Sequence, residues 1–223
     1  MAAKEGKCHI CGEIKVLTRD HIPQLSLYPK SVRSNVPNFN IVLACANCNN
    51  SASIVDEVLK VFVGLVAHAP WRSEMRDSVD STISNHRRLA RLLEENTRFE
   101  ELPTKSGASV PAKIIKIPKE MRDKLYLALD RIIKATYFQT FGEVLVENHE
   151  LSIFHPDGIH PSLHQELEDT LMNGDWRSLN QGTFHYCFAS MKSGDTVCVI
   201  NFYGNIEFCY CIKRNGWRGI KLA

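Results

Sequence analysis

The chain has 223 residues, 44% of them apolar and 23% charged, with a formal net charge of +2 and a pI of about 8.1. That make-up is ordinary for a soluble globular protein of one large or two small domains, so disorder is not the leading reading. The slight positive charge is compatible with nucleic-acid binding without arguing for it alone. No run reaches the roughly 18 apolar residues that a membrane span requires, and Met1-Ala2-Ala3-Lys4-Glu5-Gly6-Lys7 has no apolar segment behind it, so the expected location is the cytoplasm, with no membrane partner.

Two cysteine knuckles come first in chain order, Cys8-His9-Ile10-Cys11 and Cys45-Ala46-Asn47-Cys48. In a leaderless chain with eight cysteines, metal binding and reduced core thiols explain the cysteines better than disulfides do. Four thiolates satisfy the tetrahedral preference of Zn²⁺ and leave no open position, so Cys8, Cys11, Cys45 and Cys48 are expected to hold a structural zinc that staples the chain without catalysing. The alternative is four buried free thiols, which the paired spacing at both ends disfavours. Between the knuckles lie Thr18-Arg19-Asp20-His21-Ile22-Pro23 and Asn40, and Asn49 follows the last cysteine.

Helical periodicity follows. Ser53-Ile54-Val55-Asp56 reads as a helix start, with a serine cap and an acid in the first turn, and the helix is expected to run through Leu59, Val61 and Leu65 until His68-Ala69-Pro70. Glu74 to Arg98 has a second amphipathic pattern, with Met75, Val79, Ile83, Leu89 and Leu93 near 3.6-residue spacing. Leu102 to Ser109 is turn-rich and marks a boundary. Beyond it a strand is expected at Ile114–Pro118, a helix over Lys119–Phe141 and a shorter one over Ser162–Met172. The β-branched and aromatic runs Thr183–Ala189, Thr196–Tyr203 and Ile206–Lys213 then read as an antiparallel meander. The predicted class is α+β: an N-terminal zinc-stapled module at 1–70, a helical connector at 71–105, and an α+β domain with antiparallel strands at 106–223.

The joint pattern in the first quarter of the chain resembles the HNH endonucleases, the ββα-metal nuclease superfamily. The shared elements are Cys8 and Cys11, Asp20-His21-Ile22-Pro23, Asn40-Ile41-Val42-Leu43, and Cys45, Cys48 and Asn49. The resemblance implies that the N-terminal module is of the ββα-metal type and hydrolyses phosphodiesters, DNA in preference to RNA, leaving a 5′-phosphate and a 3′-hydroxyl. It implies that His21 activates the water, that Asp20 and Asn49 hold one Mg²⁺ or Mn²⁺, and that Asn40 braces the loop and orients His21. Histidine suits a base because its unperturbed pKa lies near working pH, and oxygen ligands suit a hard cation that keeps several waters. Asn49 lies nine positions after Asn40, as in the HNH domain of RNA-guided CRISPR nucleases, so an asparagine ending does not signal a dead site.

Two points qualify the pattern. Neighbouring side chains on a regular strand point to opposite faces, so Asp20 and His21 share a site only where the strand ends or bulges, and Pro23 fits an ending. Many relatives also carry a lysine shortly after the final ligand, whereas this chain reads Asn49-Asn50-Ser51-Ala52-Ser53; a basic phosphate contact is then either absent or supplied by Arg19, Lys30 or Arg33. Taken singly, His21 reads as a partly exposed strand histidine and Asp20 as a solvated turn acid. A non-catalytic zinc module that binds nucleic acid or a partner protein is the rival reading. An anti-phage effector working beside an ATPase or another defence-system partner is a third. One-strand cleavage makes a homodimer one route to double-strand cutting.

Other residues carry weaker signals. Cys187, Cys198, Cys209 and Cys211 lack knuckle spacing and read as buried thiols. Arg87, Arg88 and Arg91, and Lys213, Arg214, Arg218 and Lys221, read as solvated charges. The strand aromatics read as core rather than base-stacking groups. His155, His160, His164 and His185 receive no role.

Overall fold

The computed structural model describes residues 4–36, 38–51, 53–67, 71–104, 107–145, 150–154, 165, 168–169, 171–192 and 194–213. The expected helix at Ser162–Met172 lies mostly outside them, as do His68-Ala69-Pro70, His155, His160, His164, Arg214, Arg218 and Lys221.

The N-terminal part is a three-stranded antiparallel sheet of β1 (Lys4–Lys7), β2 (Ile14–His21) and β3 (Ile41–Cys45), in the order β1-β2-β3. The first knuckle is the β1–β2 turn, in which the Cys8 amide donates to Glu13 O at 2.9 Å and the Gly12 amide to Cys8 O at 2.9 Å. Gly12 takes φ +75° there, a left-handed value that favours glycine. β2 pairs with β3 without a break from Leu17↔Cys45 to His21↔Ile41 and then ends, as Pro23 predicts. Between β2 and β3 the chain makes a 3₁₀ turn, Leu25–Leu27, and a short helix α1 (Lys30–Asn35). The second knuckle opens α2 (Ala46–Asn50), which leads into α3 (Ser53–Val66).

The amphipathic stretch expected as one helix from Glu74 to Arg98 forms two, α4 (Trp71–Asn85) and α5 (Arg87–Glu95). Ser84, Asn85 and His86 are weak helix formers, and His86 leaves helical geometry at φ −117°, ψ 80° while its Nε2 meets Glu57 at 2.8 Å. The turn-rich boundary becomes a hairpin of β4 (Thr97–Pro103) and β5 (Ser109–Ile115). Its turn is closed by Thr104 Oγ1 donating to Ala108 O at 2.8 Å. The strand expected at Ile114–Pro118 is therefore the end of β5, which stops at Ile115.

α6 (Lys119–Phe141) forms over the expected residues and ends at Gly142 in a left-handed conformation, as a helix C-terminus favours. The meander forms as expected: β8 (Phe184–Ser190), β9 (Thr196–Phe202) and β10 (Ile206–Lys213), flanked by β6 (Glu150–Phe154) and β7 (Asp175–Leu179) in the order β6-β10-β9-β8-β7. The protein is thus a mixture of helices and antiparallel sheets.

Alternation sorts the sheet faces. Phe184, Tyr186, Cys198, Ile200, Phe202, Tyr210 and Ile212 face a cluster that also takes in Val58, Leu59, Leu125, Leu129, Ile132 and Ile133 of α3 and α6 and Ile22, Leu27 and Val42 of the N-terminal part. On the other face Val197, Val199 and Cys209 pack beneath Leu171 and Met191. The four C-terminal cysteines are free thiols of the sheet, Cys187, Cys198 and Cys209 buried within it, and the strand aromatics are core, as expected.

α3 packs against both α4 and α6. The α3–α4 approach is so close that a Cβ on Gly64 would stand 2.3 Å from Val79 Cγ2. Gly64→Ala gains about 1 kcal/mol of helix propensity but overpacks a β-branched side chain, which typically costs about 1–3 kcal/mol. Thermal melts are expected to show a net loss in Gly64→Ala and recovery when Val79→Ala is added; a melting temperature at or above the parent's in the single variant refutes the close contact.

Candidate functional site

The two knuckles meet because β1–β2 and β3–α2 share one sheet. The sulfurs of Cys8, Cys11, Cys45 and Cys48 all lie within 4.8 Å of one another, and Cys11 Sγ is 4.0 Å from Cys45 Sγ. A tetrahedral zinc with bonds of about 2.3 Å requires sulfurs about 3.8 Å apart, so the donor set fits zinc in number, kind and spacing. The Cys45 amide donates to Cys8 Sγ at 3.3 Å. Burial raises the Cys8 pKa, but amides of Cys11, Cys45 and Ile10 outweigh it and bring the thiol down to about 7. Burial and the neighbouring thiols push Cys48 the opposite way.

Asp20 points inward and is 5% exposed. Its Oδ2 accepts from Arg131 Nη2 of α6 at 3.2 Å and stands 3.7 Å from Nε2 of His9, the residue inside the first knuckle. His9 is fully buried; its Nδ1 is 3.1 Å from Leu43 O, and because a carbonyl only accepts, the proton sits on Nδ1. Nε2 is then a lone pair without a hydrogen-bond partner. Burial lowers the His9 pKa, against the attraction of Asp20, so the ring is neutral. Burial raises the Asp20 pKa, opposed by Arg131 and His9.

His21, half-buried at the end of β2, follows Asp20 on an unbroken ladder and so lies on the other face, which it shares with the exposed Arg19. Burial first, then Arg19, lowers its pKa against the pull of Asp20, which leaves an uncharged imidazole able to take a proton at neutral pH. Asn49 is fastened to β2: its Nδ2 donates to Thr18 Oγ1 at 3.1 Å and to Arg19 O at 3.1 Å. Both amide hydrogens are used, and the amide oxygen is left for another partner. Thr18 and Asp20 share a face of β2, so Asn49 is anchored on the Asp20 side.

Asn40 holds the backbone beside His21. Its carbonyl accepts from the Ile22 amide at 3.0 Å, and its Nδ2 donates to Ile22 O at 3.2 Å. Its side chain exchanges two hydrogen bonds with Gln139 of α6, at 2.9 and 2.7 Å, and its amide donates to Asn180 Oδ1 at 3.1 Å. Lys30 and Arg33 are exposed around α1.

The structure therefore joins the four cysteines, sets Asn40 against the chain after His21 and fastens Asn49 to β2, while Asp20 and His21 diverge. The oxygens fit a hard cation in kind, since Asp20 Oδ1 and Asn49 Oδ1 lack a donor among the described residues, but Asp20 is already paired with Arg131. His9, Arg131, Gln139 and Asn180 escaped the sequence reading. The histidine inside a C-x2-C knuckle was the one visible signal; the others sit among ordinary helix and turn residues. No protein-family model, no curated protein and no solved structure matches the chain.

Two predictions follow from this geometry. Cys11 is exposed, so Cys11→Ser removes a ligand with little loss of packing. Zinc measured by mass spectrometry is expected to fall from one per chain to well below it, with a lower melting temperature; full zinc retention refutes the four-sulfur site. Asp56, in the first turn of α3, is pushed up to about 6 from 3.8 by burial, against Arg131 and reinforced by Asp20 and Glu57. An acid with a raised folded-state pKa contributes stability that is complete below its unfolded value and lost as pH rises through the folded value. Asp56→Asn is thus expected to stabilise the protein at pH 8, by on the order of 1–3 kcal/mol, with the gain shrinking as melts are repeated down to pH 5. A gain that grows on acidification contradicts this sign.

Proposed function

We propose that the protein is a metal-dependent endonuclease of the HNH type, acting on DNA, with a zinc-stapled ββα module as its nuclease unit. The observation that carries the reading is the anchoring of Asn49 to Thr18 and Arg19: the helix that opens at the second knuckle is fastened to the strand that bears Asp20 and His21. β2, β3 and the following helices supply the strand-strand-helix order that such a module needs, and the four sulfurs supply its staple.

In this reading the neutral His21 accepts a proton from the attacking water. The Ile22 backbone, held on both sides by Asn40, fixes where the imidazole stands. Arg19, two residues before His21 on the same face, contacts a phosphate oxygen and takes the place of the missing lysine; Lys30 and Arg33 extend the basic surface. Bound Mg²⁺ or Mn²⁺ supplies charge neutralisation at the phosphate and leaving oxygens, and Asp20 and Asn49 are the residues that offer it oxygens. Attack in line leaves a 5′-phosphate and a 3′-hydroxyl. A role as the effector of a defence system, beside an ATPase or as a homodimer, is compatible with this chemistry.

The rival, a zinc module that binds nucleic acid or a protein without cutting, is favoured by one observation, the pairing of Asp20 with Arg131. Plasmid incubation with Mg²⁺, Mn²⁺ and Ni²⁺ separates the two. Nicking by the parent and a loss of about 10²–10⁴-fold in His21→Ala, with zinc content and melting temperature unchanged, is the expected outcome. A His21→Ala variant that cuts as fast as the parent overturns the base assignment. Retention of plasmid without cleavage under all three ions supports the rival.

A further inference from the structure

The contact between Arg131 and Asp20 is incomplete in a way that bears on metal loading. A guanidinium and a carboxylate in a buried pair frequently meet through two parallel hydrogen bonds. Here only Nη2 reaches Asp20, at 3.2 Å, and Nη1 of Arg131 is buried without a hydrogen-bond partner. His9 Nε2 stands 3.7 Å from the same carboxylate oxygen without a hydrogen bond to it. One oxygen of Asp20 is thus held by a single arm of a cation whose other arm is unsatisfied, and Oδ1 is without a donor among the described residues. Asn49 is fastened on the same side of β2, its amide oxygen without a donor among the described residues. A divalent ion held by Asp20 would stand close to the Arg131 charge that already meets this carboxylate, and like charges repel strongly in a poorly hydrated site.

We propose that Arg131 is a built-in rival of the catalytic cation: it neutralises Asp20 in the metal-free protein and must release the carboxylate before Asp20 and Asn49 can hold a divalent ion. The inference rests on the nuclease reading above and adds a control to it. The metal requirement of the N-terminal site is set from α6, a helix that also grips Asn40 through Gln139, so whatever shifts α6 shifts the demand for metal. The single-armed contact makes release easier than it would be from a two-armed pair.

The test measures Mn²⁺ binding to the full-length, zinc-loaded protein by electron paramagnetic resonance, without DNA and without reference to cutting. Arg131→Gln is expected to bind Mn²⁺ about tenfold more tightly or better, because a close positive charge is gone, with zinc content unchanged. Asn49→Ala is expected to bind more weakly than the parent. Equal or weaker Mn²⁺ binding by a folded Arg131→Gln protein overturns the rivalry. Loss of its counter-ion can unfold the variant, so the parent is also titrated with Mg²⁺ while the Arg131 side-chain ¹⁵Nε resonance, assigned by its absence in Arg131→Lys, is followed by NMR. Movement of that resonance towards the free-arginine position, absent in Asp20→Asn, is expected; a resonance that stays fixed while Mg²⁺ saturates the protein overturns the proposal. If neither the parent nor Arg131→Gln binds Mn²⁺, the cation site itself and the nuclease reading fall together. A parent that binds Mn²⁺ with an affinity indifferent to Arg131 removes the rivalry alone.

Discussion

The N-terminal part of this protein depends on four sulfurs brought to within 4.8 Å of one another. The three-stranded sheet beneath them is small, and much of β2 is exposed, including Ile14 and Val16, so hydrophobic burial alone gives β1 little reason to stay. A metal held by thiolates from both turns would tie the β1–β2 turn to the β3–α2 junction, and in such modules the free energy of metal binding is folding free energy. The cluster around the sulfurs is correspondingly thin: Cys8, Ala44 and Cys45, with Ile10, Leu17 and Cys48 against them. Loss of a metal held there would therefore act on the placement of Asn49, which follows the second knuckle, and of His9, which lies inside the first.

The rest of the chain reaches this part through polar contacts as well as the shared core. Asn180, in the β7–β8 turn at φ 51°, donates to Tyr28 Oη at 2.6 Å and accepts from the Asn40 amide at 3.1 Å. Tyr203 donates to Leu27 O, and Gln181 donates to Asn35 O at 2.6 Å. α6 adds Arg131 and Gln139. The loop between β2 and β3 is thus held from the C-terminal sheet and from α6 together. This gives the C-terminal half a physical task that its sequence does not announce: it fixes the backbone at Ile22 and Asn40, and with it the position of His21.

What could be seen in the sequence divides along the range of the interactions. The knuckles, the helices over 53–66 and 119–141 and the meander over 184–213 were legible because their signals are local: paired spacing, 3.6-residue periodicity, alternation broken by turns. The break at His86 was not, since the apolar positions keep their period through it and weak helix formers such as Ser84, Asn85 and His86 do not by themselves end a helix; the contact with Glu57 adds to the interruption. The β4–β5 hairpin was missed because its strands lie largely in solvent, with Phe99 77% exposed, and an exposed strand has no alternation to read. For the site, Asn40 and Asn49 stood out in the sequence, and the structure sets Asn40 against Ile22 and Asn49 against β2. The pairing of Asp20 was hidden for a different reason: its partner is 111 positions away on a helix whose arginine looks like any solvated charge.

β2 leaves one geometric question to be met at its end. Thr18 and Asp20 face Asn49 and Arg131, while Arg19 and His21 face the other way, so in the proposed reaction a cation on the first side and an activated water on the second would have to serve one phosphate across the edge of the strand. That is feasible only where the ladder stops. The ladder stops at His21↔Ile41, after which Ile22 is held by both the carbonyl and the side chain of Asn40. In the proposed reaction a phosphate lying over that end would have Arg19 and His21 on one flank and Asp20 and Asn49 on the other, with consecutive Cα atoms about 3.8 Å apart between them. Were β2 one residue pair longer, the sheet would continue between the two groups and separate them. The asparagine that ends the strand is therefore as much a condition for the proposed chemistry as the histidine that performs it.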